Sequence, residues 1–437
     1  MAREESVLHL TPEQKAAAMS LFSECSDLRE FGCRMLECAM NAMMDAEAQR
    51  ECGAARGERS EARENSRNGY RPRSLKTAVG DLSLQVPKLR RGTYSPEGLL
   101  GRYTRVEASM VGLVQEMYVS GVSTRKVERV ASELGVSSLS SSEVSSLCSG
   151  LDAEVEAFRS RDLGGSAYPY VWLDATYMRC RLEGRYVSAG LVTAIGMGEH
   201  GRKEFLGCDL VDTESYESWA AFLSGLRARG LRGVRLVVSD DHAGLVRAVS
   251  EAFCGCAWQR CVTHLQRNLQ GHVRTLEGKR AVAALVRAAT TQRDPLVARA
   301  VWEAASPWVG GVSAAAGRVF DSAREDALAF MSFPEEHWCK LRTNNVQERA
   351  NREIKRRARS VQTFPSAGSL LRLVGCVLMG EEGRWASQRL FSPASAARAM
   401  APAAREPEEP GAERLEAARL YASQIVGEIV DRFGLKK

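Results

Sequence analysis

The sequence predicts an α/β protein in which one β-sheet is preceded, interrupted and followed by helices. Two patterns support this prediction. Apolar residues recur at helical spacing over residues 10–50, 106–151 and 273–341, whereas residues 168–261 hold short apolar runs typical of strands. The chain has 437 residues, of which 44% are hydrophobic and 26% charged, so it can form several globular domains and is not disordered overall.

Helices are predicted first along the chain. Thr11 is a candidate N-cap, because a glutamine follows three residues later as in a capping box. Residues 51–68 are rich in Gly, Arg and Glu without an apolar period and predict a linker, which ends in the turn signal Asn68-Gly69. Residues 82–86 alternate with period two, which predicts a short strand that ends at Pro87.

A helix-turn-helix is predicted within residues 106–151. One apolar helical stripe ends at Gly121, a second helix begins at the candidate cap Ser123 and ends at Gly135, and a third begins at Ser141. Two short helices around a glycine-containing turn can place a helix in the major groove of DNA. A plain helical bundle would show the same spacing, so both interpretations stay open.

The strands of the main sheet are predicted after residue 168. In order, we expect strands at residues 169–174, 185–195 and 204–210, a helix at 215–229, a strand at 234–240, a helix at 245–253 and a strand at 256–261. Three strands, a helix and then strand-helix-strand is the order of an RNase H-like sheet. Residues 273–341 are again mostly helical, and further helices are predicted at 345–359 and 412–433.

Positive charge is concentrated in two segments, although the net charge is only +6. Residues 50–105 contain 13 Lys or Arg against 6 Asp or Glu, a net charge of +7. Residues 349–359 carry six cations and one glutamate. Two separated basic segments indicate a polyanionic partner, or else two solvated faces.

Composition argues against membrane and secreted classes. No apolar run approaches the roughly 20 residues of a membrane helix, and the first residues lack the apolar part of a signal peptide. The 12 cysteines are scattered, which favours reduced thiols over a disulfide framework. We therefore expect a cytoplasmic protein with no membrane partner.

Two acids, Asp174 and Asp240, end predicted strands. In an RNase H-like sheet these strands are neighbours, so the two carboxylates would lie side by side. Adjacent carboxylates repel unless a cation bridges them, and oxygen ligands suit Mg²⁺ or Mn²⁺. Taken alone, an aspartate at a strand end is more often only a turn residue.

Glu348 is the third candidate acid. It lies on the helix predicted at residues 345–359, which continues with six cations and so suits a phosphate backbone. The alternative is structural, because Asn345 as N-cap and Glu348 three residues later also form a capping-box pattern.

Cys261 and His264 have the spacing of metal ligands, with Cys254 and Cys256 just upstream. Four such side chains could hold zinc. Cysteine in a predicted buried strand is, however, commonly a small core residue. We therefore expect Cys261 and His264 to pack in the core and to support the acidic site through its ligands, without binding the metal themselves.

Several motifs of the chain occur in unbroken order between residues 67 and 389. They are Arg67-Asn-Gly-Tyr-Arg71, Leu84-Gln-Val-Pro-Lys-Leu-Arg90, Met117-Tyr-Val-Ser-Gly-Val-Ser-Thr-Arg125, Tyr170-Val-Trp-Leu-Asp-Ala-Thr-Tyr177, Val238-Ser-Asp-Asp-His-Ala-Gly-Leu245, Gln259-Arg-Cys-Val-Thr-His264 with Arg267-Asn268, Thr343-Asn-Asn-Val-Gln-Glu-Arg349, Asn351-Arg-Glu-Ile-Lys-Arg356 and Phe364-Pro365. In this order they make the chain resemble the Mutator-type transposases of bacterial insertion sequences.

The resemblance implies a DDE transposase whose RNase H-like catalytic domain contains an all-helical insertion. Its acids map onto Asp174, Asp240 and Glu348, as catalytic residues and as ligands of Mg²⁺ or Mn²⁺. The family usually has a small residue where Asp241 stands, so two acids compete for the second position, and motif alignment favours Asp240. Asn344, where the family often has Thr or Ser, is a milder departure.

The resemblance also implies a domain organisation. The expected regions are an N-terminal helical region and linker (1–66), a DNA-binding region with the helix-turn-helix (67–165), the first part of the catalytic domain (166–272), the all-helical insertion (273–341), the second part of the catalytic domain (342–390) and a C-terminal tail with a helix (391–437).

The implied function is DNA transposition. The enzyme would bind the terminal inverted repeats of its element, nick the element ends and join the freed 3′-hydroxyl to target DNA, as a homodimer or higher oligomer associated with the nucleoid. Cations expected to contact DNA are Arg349, Arg352, Lys355, Arg356 and Arg359. The alternatives are a catalytically idle, domesticated DNA-binding protein on the same fold and, less favoured, a nuclease of RNase H type.

Overall fold

The structure, a computed structural model, describes residues 11–55, 57–58, 61–96, 106–136, 139–182, 184–401 and 410–435. The start of the chain, on which the expectation of no signal peptide depends, lies outside these residues. The chain divides into two units, Met1–Gly150 and Leu151–Lys437. Each unit combines helices with a β-sheet, so the predicted α/β class is confirmed.

The N-terminal unit combines a helical hairpin, a two-stranded antiparallel sheet and three shorter helices. Its elements are α1 (Pro12–Glu24), α2 (Leu28–Cys52), β1 (Arg67–Thr77), β2 (Gly80–Leu89), α3 (Ala108–Val119), α4 (Thr124–Glu133) and α5 (Ser141–Cys148). The buried side chain of Met44 on α2 packs against the sheet residues Leu75, Leu82, Leu84 and Val86. A two-stranded sheet is only marginally stable alone, so this helix supplies the core that it needs.

Two predictions for this unit need correction. The linker does not extend to residue 68, because β1 begins at Arg67 and its register shifts before Tyr70, which places Asn68-Gly69 at an irregularity inside the strand. Pro87 does not end β2 but pairs with Tyr70 within it. Proline is tolerated there because each strand of a two-stranded sheet has an open edge that needs no N–H donor.

The predicted helix starts are confirmed. Thr11 and Gln14 form the capping box of α1, and the Ser123 side chain accepts a hydrogen bond from the Lys126 N–H at the start of α4. Gly121 and Gly135, with φ of +82° and +83°, close the turns after α3 and α4 in the left-handed region that favours glycine.

The C-terminal unit is larger and contains the main sheet. Its elements are α6 (Asp152–Ser160), β3 (Tyr170–Leu182), β4 (Arg185–Met197), β5 (Lys203–Val211), α7 (Tyr216–Ala228), β6 (Leu236–Ser239), α8 (Ala243–Ala252), β7 (Ala257–Arg260), α9 (Val262–Gly271), α10 (Leu276–Thr290), α11 (Pro295–Val312), α12 (Ala314–Ser322), α13 (Arg324–Leu328), α14 (Trp338–Leu341), α15 (Asn345–Ala358), α16 (Ala367–Trp385), α17 (Pro393–Met400) and α18 (Ala412–Phe433).

The main sheet is mixed, with strand order β5-β4-β3-β6-β7. β3, β4 and β5 pair antiparallel, whereas β6 and β7 run parallel to β3. The helices α7 and α8 cover one face, where their residues Trp219, Leu223 and Leu245 pack against strand residues such as Val171 and Val237. The helix α15 contacts β3 and β4 from the opposite face, so the sheet lies between two helical layers.

The first strand of this sheet is longer than predicted, because β3 continues past Asp174 to Leu182. After Asp174 its residues alternate between buried and exposed positions while the hairpin with β4 continues to the pair Leu182 and Arg185. Pairing with β4 therefore extends the strand, whereas its neighbour β6 ends at Ser239 and leaves the other edge of β3 open beside Asp174.

Helices α10 to α14 form the segment predicted as all-helical, and α18 packs on α10 and α11. The buried residues of α18 are Ala418, Ala422, Val426 and Val430, four positions apart. Within the described parts of the chain, no helix is long and apolar enough to cross a membrane.

Candidate active site

Asp174 and Asp240 lie at the same level of neighbouring parallel strands. The register pairs Trp172 with Val238. Asp174 follows two residues later on β3, and Asp240 follows two residues later, directly after the end of β6. Asp174 is 9% exposed and Asp240 is half-buried. Burial, and then the like charge of Asp240, raises the pKa of Asp174 to about 7.

Asp241 is turned to a different partner. Its Oδ2 lies 2.9 Å from Nη2 of Arg260, whose side chain is only 5% exposed. Asp240, in contrast, is the neighbour whose charge acts on Asp174. The two adjacent acids thus have different surroundings: Asp241 pairs with Arg260, whereas the charge of Asp240 acts on Asp174.

A further acid, Glu214, lies beside this pair and was missed by sequence reasoning. It stands half-buried between β5 and α7, and burial together with the charge of Asp240 raises its pKa. The hydroxyl of Tyr177 is a neighbour of its carboxylate. Its only sequence signal is a position after a predicted strand, which many surface acids share.

The helix that carries Glu348 is held on the sheet by three amide side chains, Asn344, Gln347 and Asn351, which we call the amide face of α15. The contacts are Asn344 Nδ2 to Leu173 O (2.9 Å), Gln347 Nε2 to Trp172 O (2.7 Å) and Thr193 O (3.0 Å), Thr193 Oγ1 to Gln347 Oε1 (3.1 Å) and Asn351 Nδ2 to Asp174 Oδ2 (2.8 Å). All three amides are buried, so α15 is fixed to β3 next to Asp174.

The capping-box alternative for Glu348 is wrong. The N-cap of α15 is Asn344, whose side chain makes no capping bond because its amide donates to the Leu173 carbonyl, and Asn345 is already helical. Glu348 is therefore not folded back on a cap. Its Oε1 lies 3.3 Å from Nη2 of Arg267 on α9, and this oxygen is buried without a hydrogen bond from the described residues.

Cys261 and His264 lie near the start of α9. Buried Cys261 accepts a hydrogen bond at Sγ from the Asn344 N–H (3.2 Å), and burial raises the pKa of its thiol. His264 is half-buried, and its Nδ1 has no hydrogen-bond partner in the described part of the chain. Cys256 is also a thiol, with its pKa raised to about 12 by burial.

The donor chemistry suits a hard divalent cation. Asp174 and Asp240 provide adjacent carboxylates, and the buried Oε1 of Glu348 lacks a hydrogen bond, so a Mg²⁺ or Mn²⁺ ion would relieve both the repulsion and the missing contact. Among the described residues, no group of three His, Cys, Asp or Glu side chains is placed to hold a metal ion in this conformation. The zinc alternative at Cys261 and His264 is therefore not supported, and Glu348 is engaged with Arg267 instead of the two aspartates.

The cations predicted to contact DNA are all exposed on α15 and at its C-terminal end, namely Arg349, Arg352, Lys355, Arg356 and Arg359. The opposite side of the helix is buried through Ala350, Ile354 and Ala358. Arg356 is bonded to Glu353 at 2.8 Å. The basic surface therefore begins directly after Glu348 on the same helix.

Comparison with known proteins identifies the family of this chain. Residues 9–388 match the model of the family described as transposase, Mutator family. The chain is 38% identical over 383 residues to the transposase for insertion sequence element IS1081 of Mycobacterium tuberculosis, which covers 88% of this chain and 91% of the relative. It is 38% identical over 368 residues to the transposase for ISRM5 of Rhizobium meliloti, which covers 84% and 90%.

A third relative, the transposase for IS256 in transposon Tn4001 of Staphylococcus aureus, is 36% identical over 356 residues, covering 80% of this chain and 90% of the relative. The family match extends over both units of the structure and includes Asp174, Asp240 and Glu348. The chain belongs to the Mutator family of insertion-sequence transposases.

Proposed function

We propose that this transposase is a DDE enzyme with an RNase H-like catalytic sheet, which cleaves the ends of its element and joins them to target DNA. The observation that carries the proposal is that Asp174 on β3 lies level with Asp240, the residue directly after β6, with α15 docked on Asp174 through Asn351. The strand order β5-β4-β3-β6-β7 and the helical segment before Glu348 support the same fold.

Asp174, Asp240 and Glu348 would hold Mg²⁺ or Mn²⁺. When bound, the metal would stabilise charge on the phosphate and favour a deprotonated attacking hydroxyl. The chain's own residues prepare the site: Asn351 holds one oxygen of Asp174, and the amide face fixes the helix from which Glu348 projects. Water attacks the phosphodiester at the element end and releases a 3′-hydroxyl, which then attacks a target phosphodiester and displaces its 3′-oxygen.

Recognition of the terminal inverted repeats is assigned to the N-terminal unit. Its helices α3, α4 and α5 lie in the region predicted as a helix-turn-helix, and α5 exposes Ser141, Ser142 and Ser146 as candidate base contacts. The basic segment of residues 50–105 would contact phosphates. Two element ends must be joined in one reaction, so we expect a homodimer or higher oligomer.

The test of this proposal compares two adjacent acids. Asp240→Asn should reduce Mg²⁺-dependent cleavage of element-end DNA by orders of magnitude, because it removes a metal ligand. Asp241→Asn should keep the chemistry, because Asp241 pairs with Arg260 instead. Cleavage is measured on end-labelled duplex with purified full-length protein, and binding is measured on the same duplex by gel shift.

The reverse ranking, with an inactive Asp241→Asn and an active Asp240→Asn, would assign the second ligand to Asp241. If the wild-type protein binds the element end but never cleaves it in Mg²⁺ or Mn²⁺, the chain is the idle DNA-binding protein of the alternative hypothesis.

A second prediction concerns the basic surface of α15. Changing Arg352, Lys355 and Arg359 together to Ala should weaken binding to all DNA sequences. The slope of log affinity against log salt concentration should become less steep by about 2–3, because each lost phosphate contact removes about 0.9 from it. Arg356 is left in place because it is bonded to Glu353. Affinity is measured by fluorescence anisotropy across a salt series.

The matched control changes exposed arginines on the all-helical segment, Arg280 and Arg318, to Ala. This control should leave both affinity and salt slope unchanged. If the α15 variant also keeps the wild-type salt slope, these cations do not contact DNA and form only a solvated face of the helix.

A further inference from the structure

We infer that Arg267 is a positioning residue that holds Glu348 away from Asp174 and Asp240 until DNA is bound. The inference rests on the proposed function, because it takes Glu348 to be the third ligand. It adds a coupling between DNA binding and completion of the metal site, which the family assignment does not provide.

The contact itself is an exchangeable ion pair. Nη2 of Arg267 lies 3.3 Å from Oε1 of Glu348, and the two side chains are 60% and 25% exposed. The buried Oε1 receives no hydrogen bond from the described residues, so the pair lacks the geometry of a permanent bridge. Pairs with this exposure contribute little to stability and are easily replaced by a better partner.

Hydrogen bonds hold the backbone on both sides of this pair. At the start of α9, the Val262 N–H donates to the Arg342 carbonyl at 3.0 Å, and Cys261 accepts from the Asn344 N–H at 3.2 Å. The amide face fixes α15 to β3. Any exchange of partner at Glu348 would therefore come from rotation of its own side chain, because hydrogen bonds hold α9 and α15 in place.

A DNA phosphate is the partner that would release Glu348. A guanidinium is weakly hydrated and binds phosphate with two parallel hydrogen bonds. Arg267 would therefore leave the poorly aligned carboxylate of Glu348 and bind two oxygens of a phosphate. Arg349 and Arg352, which follow Glu348 on α15, are exposed cations suited to the same strand. DNA at this surface would occupy Arg267 and leave Glu348 free for the metal.

To test the inference, Mn²⁺ is titrated into the full-length protein without DNA. The concentration of free Mn²⁺ is measured by electron paramagnetic resonance, which gives the affinity of the protein for the metal. Arg267→Ala should bind Mn²⁺ about two- to fivefold more tightly than wild type, the factor expected for releasing one exposed ion pair. Arg267→Lys, which can still pair with Glu348, should stay near wild type. Asn268→Ala, an exposed neighbour on the same helix, is the matched control and should not change the affinity.

The double variant Arg267→Ala with Glu348→Gln distinguishes two effects of Arg267 on Mn²⁺ binding: its pairing with Glu348 and the repulsion of the metal by its positive charge. If Arg267 acts through Glu348, its removal changes nothing when Glu348 is already Gln. Tighter Mn²⁺ binding that persists in the Glu348→Gln background would show simple charge repulsion and overturn the inference.

A DNA-binding readout tests the second half of the exchange. Arg267→Ala should lower affinity for a random 30-base-pair duplex severalfold and reduce the salt slope by about 1, as expected for one lost phosphate contact. An unchanged slope would contradict the role of DNA in releasing Glu348.

The failures of the two proposals are distinguishable. If Glu348→Gln keeps full cleavage activity, the DDE assignment of this residue is wrong. If Glu348→Gln is inactive but Arg267→Ala binds Mn²⁺ as wild type does, the DDE assignment stands and only the inference about Arg267 is lost.

Discussion

Asp174→Asn is expected to abolish DNA cleavage and, at the same time, to stabilise the metal-free protein at alkaline pH. Activity falls by orders of magnitude because a proposed metal ligand is lost. Stability rises because the buried carboxylate beside Asp240 no longer has to be charged, while an asparagine oxygen can still accept the hydrogen bond from Asn351.

The sign of the pH dependence follows from the raised pKa. Asp174 has a pKa of about 7 in the folded protein, against 3.8 as its ordinary value, so the folded state holds the proton more tightly. The stability that this proton contributes is fully present below pH 3.8 and is lost as the pH rises through 7. The variant has no such loss, so its advantage over wild type should grow by about 2–3 kcal/mol between pH 5 and pH 8.

The measurement is urea unfolding in EDTA at both pH values, with Asp241→Asn as the matched control. That neighbour pairs with the cation Arg260 instead of lying beside a like charge, so its replacement should not stabilise the protein at pH 8. If the free energy of unfolding of Asp174→Asn exceeds that of wild type by the same amount at pH 5 and pH 8, burial and the charge of Asp240 do not destabilise the ionised carboxylate. Added Mg²⁺ should narrow the gap at pH 8, because it stabilises the charged wild-type site.

Gln347→Leu should cause the second large effect, a loss of about 3 kcal/mol or more in the free energy of unfolding. The side chain is fully buried and bonds to the Trp172 carbonyl and to both the carbonyl and hydroxyl of Thr193. Leucine fills a similar volume but leaves these groups unsatisfied, at about 1–3 kcal/mol for each group. Cleavage should fall as well, because α15 positions Glu348 through this contact.

The control is Asn345→Ala, which changes an exposed amide in the first turn of the same helix and should stay within about 0.5 kcal/mol of wild type. Both variants are compared by urea unfolding at pH 7. A Gln347→Leu protein as stable as this control would mean that the amide face does not hold α15 on the sheet.

Much of the local structure was predictable from short-range patterns. The Thr11 and Ser123 caps and the helix α18 appear where the sequence places them, because capping and helical periodicity depend on residues three or four positions apart. The positions of Asp174 and Asp240 on neighbouring strands were also predictable, because the order of strands and helices restricts the sheet topology.

Strand ends were less predictable, as β3 shows. An acid after an apolar run predicts the end of a strand, yet the hairpin with β4 carries β3 on to Leu182. Pairing between strands decided that boundary, and a local pattern does not contain it.

The environment of the acids was decided only by tertiary contacts. Asp240 and Asp241 are adjacent in sequence, yet one faces Asp174 and the other Arg260. Asn344 and Gln347 look like ordinary polar residues at the start of a helix, because the β3 carbonyls that they bind lie about 170 residues earlier in the chain. Periodicity reports which face of a helix is apolar, whereas a buried amide is recognisable only when its distant hydrogen-bond partner is known.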